Sequence, residues 1–212
     1  MIILGIDPGT AMLGYGLIER TGPRLRAIDY GVITTPSQMP LPERLEIIYL
    51  TLTDLIELHA PAIVGVERLF FTKNVQTAFA VGQARGVVLL AAAMHDLEIR
   101  EATPNEVKVA TAGHGSAAKE QVQRMVQAIL GMAELPTPDD AADALAIAIC
   151  VANRERSMSR IPTGAMDRSA ITPVAPGLTP YEKAVREAIR RERLGIGPDG
   201  HSSRRPESKT AS

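Results

Sequence analysis

Two short apolar runs constrain this chain more than any other feature. Met1–Asp7 (MIILGID) and Ala62–Glu67 (AIVGVE) lack polar alternation, and each ends on a carboxylate. Runs of this kind read as strands covered on both faces, the habit of parallel sheets sandwiched between helices. After the first run Pro8-Gly9 turns the chain. Leu13–Ile18 and Leu25–Thr34 then read as two more strands around the turn Thr21-Gly22-Pro23, which suggests an antiparallel meander.

Beyond Pro40 the period changes. Leu41, Leu45, Ile48, Leu52, Leu55 and His59 recur at helical spacing until Pro61 stops the helix. Asn74–His95 reads as a long Ala-rich helix, and Glu98–Ala102 as a short strand. Thr103 offers an N-cap hydroxyl ahead of Pro104, predicting a short helix through Ala112. Past Gly113-His114-Gly115, Ser116 is expected to cap a helix reaching about Leu130, with Gly131 as its C-cap. Thr137-Pro138-Asp139-Asp140 opens the last core helix, Ala141–Ala152. The order βββαβαβα predicts an α/β protein with a mixed five-stranded sheet flanked by helices. Right-handed crossovers make the first, fourth and fifth strands parallel neighbours, with the meander on the other side. Asp7 and Glu67 then share the sheet edge where such folds place ligands.

Composition narrows the setting. One cysteine excludes a disulfide framework and a Cys-cluster zinc site, and it suits a reducing compartment. The longest apolar run, Ala144–Ala152, is far short of the roughly 20 residues that cross a bilayer. No basic leader opens the chain, so a soluble cytoplasmic protein is expected, with no membrane partner. The net charge of −1 conceals an asymmetry: residues 151–212 carry 12 basic and 7 acidic side chains, residues 1–150 carry 11 and 17. From about Ser157 the composition turns to Ser, Pro, Gly, Thr and Arg. Two regions are therefore expected: a folded domain over 1–156, and a basic, largely disordered tail over 157–212 with a candidate helix at 181–194.

Four carboxylates carry the chemistry. Asp140 and Asp143 stand three apart, on one face of the last helix. If that face meets the edge holding Asp7 and Glu67, four acids converge. Repulsion among them is relieved by divalent cations, and hard cations such as Mg²⁺ take carboxylate oxygens. Such an arrangement suits a two-metal site for in-line phosphodiester displacement. Each acid also has a plain structural account. Asp7 fits a turn, Glu67 a solvated strand end, and Asp140 the third place of a capping box begun by Thr137. Asp143 alone resists one, because it interrupts an apolar helix.

The strings Gly5-Ile6-Asp7-Pro8-Gly9, Gly14-Tyr15-Gly16, Val81-Gly82-Gln83-Ala84-Arg85-Gly86-Val87 and Asp140-Ala141-Ala142-Asp143-Ala144-Leu145-Ala146-Ile147-Ala148 are carried here with the Glu67 strand end. Together they resemble the RuvC family of bacterial Holliday-junction resolvases over roughly residues 1–155. The resemblance implies a ribonuclease H-like fold, a homodimer, and paired metal-dependent nicks across four-way junction DNA. It also implies two Mg²⁺ ions per subunit, with Mn²⁺ as a substitute, and the branch-migration proteins RuvA and RuvB as partners. The family's acids map onto Asp7, Glu67, Asp140 and Asp143. Asp139 adjoins the third, and the spacing to Asp143 favours Asp140. Lys108 and Lys119 match basic positions of the family, and Phe70 matches its stacking position, with Phe71 read as core. Arg85, inside an apolar helix, either forms an ion pair or reaches phosphate; it completes the DNA-binding set.

Two other classes fit parts of the sequence. An actin- or sugar-kinase-like ATP-binding protein also ends its first strand in an Asp-x-Gly-Thr turn, but needs a second domain and a second phosphate loop. A non-catalytic junction-binding protein would leave the acids structural.

Overall fold

In the computed structural model the two apolar runs become neighbouring strands at the centre of one sheet. Residues 1–68 and 75–158 are described, all within one compact unit, Met1–Gly164. The strands are β1 (Ile2–Asp7), β2 (Met12–Thr21), β3 (Arg24–Thr34), β4 (Ile63–Glu67) and β5 (Glu98–Ala102). The helices are α1 (Leu41–His59), α2 (Val75–Met94), α3 (Pro104–Ala112), α4 (Lys119–Leu130) and α5 (Asp139–Met158). The sheet order is β3-β2-β1-β4-β5. β1 runs antiparallel to β2 and parallel to β4, and β4 runs parallel to β5. The expected mixed five-stranded α/β sheet is therefore the one formed. Phe70, Phe71 and the 157–212 tail with its 181–194 segment lie outside the described residues, apart from the last turn of α5.

Strand alternation sorts the side chains into two cores. Leu4, Ile6, Val64 and Val66 pack with Ile48, Leu52 and Ile56 of α1 and with Ala84, Val88, Ala91 and Ala92 of α2. Ile3 and Ile63 face the other way, against Leu145, Ile147, Ile149 and Val151 of α5, with Val107 of α3 and Val122 and Val126 of α4 around them. Among the described residues no helix is long and apolar enough to cross a membrane.

Helix ends follow local chemistry. Thr103 caps α3 in a full capping box: its hydroxyl accepts from the Glu106 N–H at 3.2 Å, and Glu106 accepts from the Thr103 N–H at 2.8 Å. Gly113 and Gly131 close α3 and α4 in the left-handed conformation. Ser116 does not cap α4. Ala117 is buried in the core, and the helix opens two residues later than expected, with Ala118 as its N-cap. The Ser116 hydroxyl lies instead 3.2 Å from His114 Nδ1.

α5 meets the sheet at backbone contact. A Cβ placed on Gly5 would lie 2.1 Å from the Ala144 carbonyl oxygen, and one on Gly14 would lie 2.0 Å from that of Asp140. Gly14 is also the cross-strand partner of Asp7. The missing side chains let the first turns of α5 settle over the C-terminal end of β1. A Gly14→Ala substitution must push the Asp140 backbone away. It is expected to cost about 1–3 kcal/mol in urea unfolding, the range for overpacking a tight core, and to impair the site below. Parental stability in this variant would show that α5 does not rest on β2.

Candidate active site

Parallel β1 and β4 end side by side, and their last side chains, Asp7 and Glu67, project to the face that α5 covers. α5 brings Asp140 and Asp143 in its first turns. A cleft of about 230 Å³ forms there, lined by Asp7, Glu67 and Asp143, by Lys108 of α3 and Lys119 of α4, and by Pro104, Val107, Val122 and Ile147. The lining combines charged and apolar side chains.

The electrostatics are those of anions held together against repulsion. Burial, then the charges of Glu67, Asp143 and Asp140, raise the Asp7 carboxyl to about 7, with Lys119 opposing. Burial and Asp143 raise Glu67. Burial also raises Asp143 and outweighs its ion pair with Lys119. Burial alone would lower Lys119, but its pairs with Asp143 at 3.1 Å and Asp139 at 3.4 Å hold it above its ordinary value.

Of the sequence candidates, Asp7, Glu67, Asp143, Lys108 and Lys119 line the cleft, whereas Asp140 lies outside that lining and adds its charge to Asp7 and Asp143. Asp139 has a side chain 62% exposed and does not contribute to the shift of Asp7, whereas Asp140 does. Arg85 lies outside the cleft: it pairs with Glu101, and its Nε donates to the Glu67 carbonyl oxygen at 3.4 Å. The capping box read for Thr137 and Asp140 gives way to a different start: the Pro138 carbonyl accepts from the Ala141 and Ala142 N–H groups.

Sequence reasoning missed a brace behind Asp7. The buried Thr35 hydroxyl donates to the Thr10 carbonyl oxygen, and Arg44 Nε donates to the Thr35 hydroxyl at 2.8 Å. It also missed Glu101. Neither carries a local motif, since the partners lie 9 to 33 residues apart.

The donor set suits a hard divalent cation: carboxylate oxygens, partly desolvated and mutually repelling, beside an open cleft. Among the described residues no three His, Cys, Asp or Glu side chains stand close enough together to hold a metal ion as they are placed. The Lys119 ammonium supplies the positive charge next to Asp143.

A mixed five-stranded sheet with acids at the ends of its two central parallel strands, and more on the helix crossing them, defines a ribonuclease H-like protein of the nuclease type. Residues 3–151 match the family described as crossover junction endodeoxyribonuclease RuvC. A curated protein of that name from Desulfitobacterium hafniense is 55% identical over 161 residues, covering 76% of this chain and 98% of that protein. One from Moorella thermoacetica is 58% identical over 153 residues, covering 72% and 92%. Among solved structures, Thermus thermophilus RuvC in complex with a Holliday junction substrate aligns with a TM-score of 0.69 at 36% identity, over 74% of this chain and 96% of that one. The chain belongs to the RuvC family. The kinase-like and non-catalytic readings find no support in these matches.

The raised Asp7 carboxyl has a consequence for stability. Its ordinary value is 3.8 and its folded value about 7, so between these the folded state binds the proton more tightly than the unfolded chain. Stability therefore falls as pH rises across that window. In chelator, urea unfolding should give a less stable protein at pH 8 than at pH 5. Asp7→Asn should flatten that slope and be the more stable form at pH 8. An unchanged slope in the variant would place the carboxylate strain elsewhere.

Proposed function

We propose that this chain resolves Holliday junctions as a homodimer, each subunit nicking one of two opposed strands of four-way junction DNA through a divalent-metal site. The observation that carries this is the descent of α5 onto the ends of β1 and β4. It puts Asp140 and Asp143 beside Asp7 and Glu67 and raises the Asp7 carboxyl to about 7. A purely structural protein gains nothing from that repulsion. Two Mg²⁺ ions, or Mn²⁺ in their place, would be held by these four carboxylates. When bound there, such ions lower the pKa of an attacking water and stabilise the leaving 3′ oxygen.

The chain's own residues do the rest. Lys108 and Lys119 flank the cleft and offer the phosphate its cationic contacts, which makes junction affinity salt-dependent. Asp143 and Asp139 hold the Lys119 ammonium at the cleft, where it would meet the scissile phosphate. Phe70 follows Glu67 by three residues in the sequence and is proposed to stack on an unpaired base at the junction centre. The 157–212 tail is proposed as a separate basic region. Family membership supports RuvA and RuvB as partners and the cytoplasm as the place of action.

Asp7→Asn, Glu67→Gln, Asp140→Asn and Asp143→Asn should each abolish cleavage of a four-way junction in Mg²⁺, with gel-shift affinity in EDTA retained. Asp139→Asn should be mild. Loss of binding in EDTA with all four variants would make the acids structural. An inactive Asp139→Asn would move the third ligand by one residue.

The dimer rests on the outward face of α2. The Ala-rich helix divides: Ala84, Ala91 and Ala92 are buried in the protomer's own core, while Phe79 is 69% and Leu90 55% exposed. Between them a Cβ on Gly86 would meet nothing within 4 Å. Exposed large apolar groups on one helix face suit a second copy related by a dyad, which also supplies the second cut. Sedimentation should give a mass near twice 22.7 kDa. Leu90→Glu should yield a folded monomer at micromolar concentration that does not resolve junctions. A parental dimer in that variant would move the interface elsewhere.

A further inference from the structure

Glu67 and Glu101 leave the same edge of the sheet on opposite faces. Val66 pairs in register with Glu101, and Glu67 with Ala102. Val66 belongs to the core on the α1/α2 side, whereas Ala102 belongs to the core on the α5 side. Glu67 therefore points to the acidic cleft, and Glu101 points to α2 behind it.

On that rear face a network closes around the Glu67 peptide. Arg85 of α2, its side chain 19% exposed, pairs with Glu101 through Nη2, and its Nε donates to the Glu67 carbonyl oxygen at 3.4 Å. The next residue is held twice: the Arg68 N–H donates to the Ala102 carbonyl oxygen at 2.8 Å, and Arg68 Nε donates to Glu101 at 3.3 Å. The β5 backbone is fixed in turn, because Arg154 Nη1 donates to the Glu101 carbonyl oxygen at 2.7 Å. The Glu67 strand end is thus pinned through its carbonyl group and through the residue that follows it.

We propose that Glu101, with Arg85, is a positioning pair for the metal site: it fixes the Glu67 peptide from the far face of the sheet so that the carboxylate stays aimed at Asp7 and Asp143. The inference rests on the metal reading above. It assigns Arg85 to the support of a ligand rather than to phosphate. Its guanidinium is held by Glu101 and the Glu67 carbonyl on the α2 side of the sheet and does not line the cleft.

The test uses the full-length protein and Mn²⁺ alone, titrated by calorimetry without DNA, beside junction affinity by gel shift in EDTA. Glu101→Gln should weaken Mn²⁺ binding by about 10- to 100-fold, the usual effect of losing a partner that orients a metal ligand. Junction affinity in EDTA should stay at the parental value. Glu101→Asp should restore most of the Mn²⁺ affinity, and it carries the test if Glu101→Gln does not fold. Arg85→Met added to Glu101→Gln should weaken Mn²⁺ no further, since the two act as one unit. Parental Mn²⁺ affinity in Glu101→Gln overturns the proposal. So does Arg85→Met lowering junction affinity in EDTA while leaving Mn²⁺ binding intact, which would make Arg85 a phosphate contact. Failure of the parent itself to bind Mn²⁺ would overturn the metal reading instead, a result distinct from either.

Discussion

The structure depends on how closely α5 approaches the sheet. A helix packed on a sheet through ordinary side chains is held off from it by their bulk. Here the strands under α5 present glycine at the crossing points. At Gly5 and Gly14 even one methyl group would overlap helix backbone. The Ala-rich composition of α5 serves the same end, because Ala141, Ala142, Ala144, Ala146 and Ala148 are buried without holding the helix off. Small residues on both partners convert an apolar contact into a positioning device.

That device works against electrostatics. Burial and mutual repulsion both act to neutralise Asp7, and the same two effects raise Glu67 and Asp143. The stability to hold them comes from elsewhere: two apolar cores, one on each face of the sheet, built from residues that take no part in the chemistry. The chain thus spends core stability on an arrangement that ordinary folding would avoid. Lys119 relieves part of the strain from outside. Its pairs with Asp143 and Asp139 exceed its own desolvation cost, which leaves a charged lysine beside the acids.

Much of this was legible in the sequence because it is written locally. MIILGID and AIVGVE announce buried strands by their unbroken apolar character, and the crossover rule then fixes their order without any contact being known. Asp143 was legible because a carboxylate in an apolar helix violates its surroundings. Ser116 misled for a physical reason: a hydroxyl before a helical pattern is a good cap in isolation, but burial of Ala117 set the chain's path and His114 engaged the hydroxyl. Glu101 was illegible. In Glu98-Ile99-Arg100-Glu101-Ala102 it looks like one more charge on an exposed edge strand, and only the fold brings Arg85 and Arg68 to it. Arg85 stood between two readings because its sequence neighbourhood shows burial but not the partner.

The two faces of the sheet edge divide the work. On the α5 side the ends of β1 and β4 carry charge that must stay exposed to an incoming phosphate and ion, so they cannot be neutralised by permanent partners. On the α2 side the same strand end can be tied down with full ion pairs, because nothing has to enter there. Separating the two solves a conflict that a one-sided site would face. Any arginine close enough to orient the Glu67 carboxylate directly would also pair with it and compete with a cation. Holding the peptide carbonyl instead leaves both carboxylate oxygens of Glu67 available. The brace behind Asp7 follows the same logic, since the Thr35 hydroxyl, itself held by Arg44, grips the Thr10 carbonyl and leaves the Asp7 carboxylate untouched. In both cases the backbone is fixed from behind, and the charge is left unsatisfied in front.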